Sequence, residues 1–300
     1  MSKINCNLCS SDDYKILFIK SGMQFGINKN YTIAQCKKCG LQYVNPQPTM
    51  NDKKRIKYDV NYWMPRDPGE IFKKIADWRT RQIRIEYLYG KKEKILDIGC
   101  DGGFFLKTMK ENGWSVYGVE LRRDFCRYVK EKLDLDIFYD VLEETTFPDA
   151  YFDVVTMWDV IEHLPDPSRT LWIVNRILKD HGLLVISTIN ADSFNAKIFK
   201  DRWRFYNPPS HIYFFSLWAL RKMLEKEGFR IVLLRSTFSF RALIQGICGL
   251  TISDQLSKSK IFRILNMICY PLRRIVEKLG YADGLEIYAK KCGNLRARYI

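Results

Sequence analysis

Residues 94–103 read KILDIGCDGG, a short apolar run that ends in a turn holding Gly99, Gly102 and Gly103. Ile95, Leu96 and Ile98 form a nearly continuous hydrophobic stretch, which suits a strand covered on both faces, as strands of a parallel sheet are. Working outward, SVYGV (115–119), DIFY (136–139), FDVVTMW (152–158) and GLLVISTI (182–189) have the same strand character. Helical patterns over 103–112, 122–133 and 168–179 separate them. Alternation of this kind predicts an α/β fold with a doubly wound, Rossmann-like parallel sheet. Two further strands, FRIVLLRSTFSF (229–240) and LEIYAKKC (285–292), are expected to close it.

Such sheets bind ligands beyond the carboxyl ends of their strands, where the strand order reverses. Gly99 and Gly103 allow a tight turn that brings backbone close to a ligand. A dinucleotide would place its pyrophosphate there, but Asp97 and Asp101 put two carboxylates at that point and the GxGxxG spacing is missing. Two carboxylates suit a ligand carrying an amine and a sulfonium. Glu120 lies 21 residues after Gly99, the distance at which a carboxylate accepts ribose hydroxyls. Asp140, after the third strand, is placed to accept from an adenine amino group, and Asp159 and His163 in MWDVIEHLPDP face the same crevice. Any one of these acids alone reads as a helix cap or surface charge. Their placement at four successive strand ends argues for a site.

The amino-terminal stretch carries a separate signal. Of nine cysteines, Cys6 and Cys9 form one CxxC and Cys36 and Cys39 another, and Cys100, Cys126, Cys248, Cys269 and Cys292 are scattered singly. Two CxxC knuckles supply a tetrahedral shell of four sulfurs, so a zinc ribbon with a structural, chemically inert ion is expected; a redox CxxC is the other reading. Unpaired cysteines in such number fit a reducing, cytoplasmic setting, and the start MSKINCNLCS has no apolar core of the kind a secretory signal needs. The expected organisation is a ribbon over 1–50, a linker and helix over 51–93, and a main domain over 94–300 with a helical insertion at 241–283. Within the linker, Glu70–Tyr89 reads as one helix with a solvated basic face, and Tyr58 and Tyr62 are candidates for closing over the ligand.

ILDIGCDGGFFL, VYGVEL, FDVVTMWDVIEHLPDP, LLVIST and HIYFFSLWALRKMLEKEGF, in that order, resemble the class I S-adenosylmethionine-dependent methyltransferases over about residues 94–240 and 284–292. The resemblance implies that Asp97, Gly99 and Gly103 shape the methionine end of S-adenosylmethionine, that Glu120 holds the ribose, and that Asp140 holds the adenine edge, with Asp159 alongside. Asp101 departs from the family, which often has Gly or Ser there. So does KDHG before the fifth strand, where the family has Pro-Gly-Gly; His181 reads as a turn residue. With the two CxxC pairs, CGLQYVNPQP is similar to zinc-ribbon methyltransferases that include sugar C-methyltransferases. In that group a His just ahead of a YFS segment is associated with the active site, which implies His211 in SHIYFFS as the catalytic base. His163 reads as structural. The group often has an acidic residue before that His, where this chain has Ser210.

Formal net charge is +15, and its distribution is uneven: +9 over residues 1–93, −6 over 94–190 and +12 over 191–300. Nucleic acid, an anionic membrane surface, an anionic substrate or idle solubilising charge would each account for such an excess. Since the cofactor half is acidic, the excess lies in the ribbon, linker, the loop FKDRWRFYNPP and the insertion. In that loop Lys200, Arg202 and Arg204 interleave with Trp203, Phe205 and Tyr206, a pattern that holds phosphate and stacks a base or sugar. NPPS (207–210) resembles a motif of nucleic-acid amino-methylating enzymes, but follows the fifth strand instead of the fourth, and reads as coincidence. Between 261 and 279 apolar residues follow helical spacing with Pro271 inside the run, and basic residues form the polar face. Such a helix serves at an anionic membrane interface, as a lid or as a dimer contact. The expected function is methylation of an anionic small-molecule or glycan acceptor, a sugar first of all, in the cytoplasm or with contact at the inner membrane face. Alternatives are an RNA methyltransferase, disfavoured by the charge distribution, a lipid or quinone methyltransferase at the membrane surface, and a noncatalytic binding protein.

Overall fold

The computed structural model describes residues 4–49, 51, 52, 56, 64, 67–249 and 259–292. Tyr58 and Tyr62 lie outside the described residues. The amino-terminal segment forms an antiparallel set of β1 (Tyr14–Ser21), β2 (Asn30–Cys36) and β3 (Gln42–Val44). Tyr31, Ile33, Tyr43 and Val44 are buried, whereas Ile16 and Ile19 on the edge strand stay exposed. Each CxxC turns tightly: Ser10 N–H donates to Cys6 O at 2.8 Å, and Gly40 N–H, at φ 71°, donates to Cys36 O at 2.9 Å.

The large sheet contains β4 (Lys94–Ile98), β5 (Ser115–Glu120), β6 (Phe138–Tyr139), β7 (Phe152–Trp158) and β8 (Leu178–Ile189). It also contains β10 (Phe229–Thr237) and β11 (Gly284–Lys291), and its order is β10-β11-β8-β7-β4-β5-β6. Only β11 runs antiparallel to its neighbours. The chain steps outward from β4 to β6 and then returns to the other side of β4 with β7, so the order reverses between β4 and β7. Strand β9 (Tyr213–Phe214) lies outside the large sheet and pairs with β3.

Directly ahead of β4 lie α1 (Pro68–Asp77) and α2 (Arg79–Tyr89), where the sequence suggested a single helix from Glu70. Asp67 caps α1 by accepting from Gly69 N–H and Glu70 N–H at 2.8 and 3.1 Å. The break falls at Trp78, whose ring packs on Phe105 and Trp158 with centroids 5.4 and 5.3 Å away. The basic face of this segment is solvated only in part: Lys73 and Arg79 are exposed, whereas Arg81 and Arg84 turn inward. Arg81 Nε and Arg84 Nη1 donate to the buried carboxylate of Glu286 at 2.9 and 2.6 Å, because β11 carries a charge that must be paired to be buried.

One face of the sheet is covered by α3 (Phe104–Glu111) and α4 (Arg123–Leu133), which bury Phe105, Met109, Phe125 and Val129 together with Ile85 of α2. The other carries α5 (Pro167–Ile177) and α7 (Leu217–Lys226), and its core runs without interruption into the ribbon. Short α6 (Phe194–Phe199) follows β8. The segment between β10 and β11 contains α8 (Phe240–Cys248), α9 (Lys260–Ile268) and α10 (Tyr270–Lys278), and the helix breaks at Cys269, just ahead of Pro271. Gly246 lets α8 lie against Phe199: a Cβ there would meet that ring at 2.2 Å. Because β10 is parallel to β8, this segment starts from the edge where β4, β5, β7 and β8 end.

Candidate functional site

The glycines after β4 work as tight-turn residues. Gly99 has φ 69° and Gly103 φ 72°, both left-handed. A Cβ on Gly99 would stand 2.7 Å from Val160, and one on Gly103 2.9 Å from Val129, so neither position has room for a side chain. Both glycines are thus required by the turn itself, which packs against Val160 and Val129 at the strand ends.

Carboxylates crowd the same point. Asp97 is 2% exposed and accepts from Thr156 Oγ1 at 2.6 Å; burial raises its pKa well above the ordinary carboxylate range. Glu120, at the end of β5, accepts from the backbone N–H of Asp101 at 3.0 Å and of Arg122 at 2.9 Å. Burial first, then repulsion from Asp101, pushes Glu120 up to about 7, and burial pushes Asp101 up to about 6. Three acids held this way need a positive partner, which is what an amine and a sulfonium supply. Lys74 of α1 is near enough to Asp101 to act on its charge. Asp140 follows β6, accepts from Val141 N–H at 2.8 Å, and borders a cavity of about 350 Å³ with Phe138, Tyr139 and Phe147. Asp159, at φ 55°, accepts from Ser187 Oγ at 3.0 Å and lies close enough to raise both Asp101 and Glu162.

A second cluster follows β7. Glu162 is 1% exposed; its Oε2 accepts from Thr188 Oγ1 at 2.8 Å, while its Oε1 has no partner among the described residues. Burial, followed by the charge of Asp159, pushes it up to about 8. His163 and His211 meet edge to face, with ring centroids 4.7 Å apart at 77°. Nδ1 of His163 lies 2.7 Å from Ser210 O and Nδ1 of His211 lies 3.0 Å from Phe205 O. A carbonyl oxygen only accepts, so in the neutral ring the Nδ1 atoms carry the protons and the Nε2 atoms the lone pairs. Burial, then the charge of His163, holds His211 well below the usual imidazole range, so it is neutral at pH 7. Donor atoms of Glu162, His163 and His211 lie within 4.8 Å of one another, close enough to share a cation.

The ribbon reaches this cluster through the backbone. Val44 N–H donates to Ile212 O at 2.9 Å, Ile212 N–H donates to Glu162 O at 2.9 Å, and Tyr43 pairs with Tyr213. His211 is therefore held between β3 and the turn after β7. Within the ribbon, Cys6 Sγ lies 3.3 Å from Cys39 Sγ and Cys9 Sγ lies 3.5 Å from Cys36 Sγ, and all four converge. Tetrahedral zinc with bonds of about 2.3 Å separates sulfurs by about 3.8 Å, so a small outward shift of thiols that are already gathered admits the ion.

The loop at 200–206 behaves differently from its sequence reading. Trp203 is 1% exposed and donates from Nε1 to Asp283 at 2.9 Å, and Tyr206 is 4% exposed and donates to Gln42 Oε1 at 2.6 Å. Both rings are core, leaving Lys200, Asp201, Arg202 and Arg204 exposed and Phe205 half-buried. Trp203 and Tyr206 are taken up in packing the ribbon against the large domain and are not available to stack a ligand; Phe205 alone of the three aromatics keeps a partly open face. Glu162 and Lys74 were missed in the opposite sense. Nothing in their spacing shows that one points inward beside two histidines and the other toward Asp101. Asp283 was missed as well; it also accepts from Asn195 and Ser239 N–H, tying α6, the 203 loop and α8 together.

A sequence profile for the family described as "Methyltransferase domain" matches residues 64–234. The ubiquinone biosynthesis O-methyltransferase of Glaesserella parasuis serovar 5 (strain SH0165) is 37% identical over 139 residues, covering 41% of this chain and 58% of that protein. The enzyme of the same name from Actinobacillus pleuropneumoniae serotype 7 (strain AP76) is 31% identical over 149 residues, 45% of this chain and 62% of that protein. The chain thus spans less than two thirds of the length of these curated relatives. Among solved structures, a SAM-dependent methyltransferase from Archaeoglobus fulgidus superposes with a TM-score of 0.51 at 26% identity, over 75% of this chain and all of that one.

Proposed function

The chain belongs to the methyltransferase domain family, and from that premise we propose that it moves the methyl group of S-adenosylmethionine to an acceptor that gives up a proton to His211. The single observation that carries this reading is the half-buried, neutral imidazole of His211, hydrogen-bonded to Phe205 O and held beside the ribbon at the edge where the carboxylate cluster lies. S-adenosylmethionine, when bound, supplies an electrophilic methyl group, so the protein's work is alignment, exclusion of water and removal of the acceptor proton. Asp97 and Asp101 balance the cationic end, Glu120 accepts the ribose hydroxyls, Asp140 meets the adenine edge, and the backbone of Gly99 and Gly103 lets the ligand approach. Asp159 carries its charge between the two clusters.

His211 with a depressed proton affinity is a weak base, which suits an acceptor whose proton is already acidic. A carbon next to a carbonyl in a ketosugar on an anionic carrier is the class implied by the ribbon and SHIYFFS together, its C–H being more acidic than an ordinary one. The structural support is that the ribbon and the residue after His211 are hydrogen-bonded. A second reading, a phenolic hydroxyl of a quinol precursor, meets the requirement better, since a phenol is far more acidic than such a C–H, and is favoured by the name of the relatives. Structural zinc in the Cys6–Cys9–Cys36–Cys39 site belongs to both. Methyl-labelled S-adenosylmethionine incubated with the protein and cell extract separates them: label in the nucleotide-sugar fraction supports the first, and label in the quinone fraction of the lipid extract supports the second. Label in neither, with S-adenosylmethionine bound by calorimetry, would leave a binding protein and overturn the reading.

A further inference from the structure

We propose that α9 and α10 form a docking face for an anionic lipid bilayer. Both helices are amphipathic, but their apolar sides are not spent on the domain. Val276 is buried and Phe262 and Cys269 pack against Phe238 and Phe240, which fixes the helices in place. Ile264, Met267, Ile268, Ile275 and Leu279 remain 55 to 74% exposed. Spaced i, i+3, i+4 on α9 and i, i+4 on α10, these side chains share one face of each helix, where exposed apolar groups that lie together mark an interaction surface. A lid closed on its own domain would have buried these side chains.

Charge decides between the partners that remain. Residues 258–279 hold six basic residues and one acid, Glu277, which Arg273 already pairs at 2.9 Å. A second copy would bring the same excess of positive charge against itself, whereas an anionic surface neutralises it. Exposed aliphatic side chains together with exposed Lys260, Arg274 and Lys278 are the two components of interfacial binding. Among the described residues no helix is long and apolar enough to cross a membrane, so these helices would lie in its plane. The segment leaves β10 and enters β11 at the strand edge that carries the candidate site, so docking would turn that site toward the bilayer.

Co-sedimentation of the full chain with phosphatidylcholine vesicles, with and without 30% phosphatidylglycerol, tests this without S-adenosylmethionine or acceptor, so its failure leaves the proposed reaction untouched. Expected is at least tenfold tighter binding to the anionic vesicles. That binding should weaken with salt and fall at least tenfold in Met267→Ser/Ile268→Ser and in Lys260→Glu/Arg274→Glu/Lys278→Glu. Equal affinity for both vesicles, no binding by the wild-type chain, or a wild-type dimer that Met267→Ser/Ile268→Ser converts to monomer without any vesicle binding would each overturn the proposal. The wild-type comparison decides even where a variant folds poorly.

Discussion

The backbone N–H of Val44 donates to the carbonyl of Ile212 at 2.9 Å, which makes a ribbon strand and the residue after His211 rungs of one ladder. The cysteine cluster is remote in sequence from the candidate site but adjacent through this ladder. Loosening the ribbon should therefore move His211 before it disturbs the turn at Gly99.

Metal removal tests this coupling. Stripping the ion with a strong chelator, or Cys36→Ser, should lower methyl transfer at least tenfold while the dissociation constant for S-adenosylmethionine changes less than threefold. Calorimetry beside an activity assay and elemental analysis gives both numbers. Full activity in protein shown to hold no metal would separate the ribbon from the site.

His211→Asn removes the lone-pair nitrogen but keeps a side chain able to donate to Phe205 O. General-base loss typically costs about 10²–10⁴-fold in rate. The expected outcome is a fall of that order in kcat with cofactor affinity retained; an unchanged kcat would show that His211 only holds the loop.

Glu120 links the cofactor site to stability. Its pKa is raised from an ordinary carboxylate value to about 7, by burial and by Asp101, so the folded state binds this proton more tightly than the unfolded chain. Its contribution to stability is present below about pH 4.5 and is lost as the pH rises through 7. Ligand-free protein should therefore lose thermal stability from pH 5 to 8, and Glu120→Gln should flatten that slope. The same substitution should weaken S-adenosylmethionine binding at least tenfold. A wild-type slope of the opposite sign would contradict the buried acid cluster.

Glu286 is buried with Arg81 and Arg84 on its two oxygens, and Arg84 also donates to Tyr288 Oη at 3.1 Å. Glu286→Ala would leave two guanidinium groups without their acceptor beneath α2. Because both arginines keep some contact with water, the loss should be about 2 kcal/mol, below the 3 to 5 of a fully buried pair. Urea denaturation measures it.

Strand and helix order was legible from residue 94 onward because the first four strands of the large sheet are runs of apolar residues ended by glycine or an acid, and burial on both faces demands such runs. The site was legible in part for the same reason: Asp97, Gly99, Glu120 and Asp159 stand where buried strands must end. The segment at 70–89 misled the reading, since periodicity does not show that Trp78 interrupts a helix or that its arginines turn inward to a carboxylate on the last strand. The loop at 200–206 misled it too, because aromatic–basic alternation looks the same whether the rings meet a ligand or a core.

The sequence by itself determined the alternating layers, the acid-rich turn after the first strand and the two cysteine pairs. These follow from local rules: periodicity of burial, the left-handed backbone of Gly99 and the reach of a CxxC turn. Only the tertiary structure decided that β9 lies outside the large sheet and pairs with the ribbon, that Glu162 points its carboxylate inward beside His163 and His211, and that α9 and α10 leave their apolar sides uncovered. Those outcomes depend on which distant surfaces meet, and contact between residues far apart in the chain leaves no periodic trace in either segment.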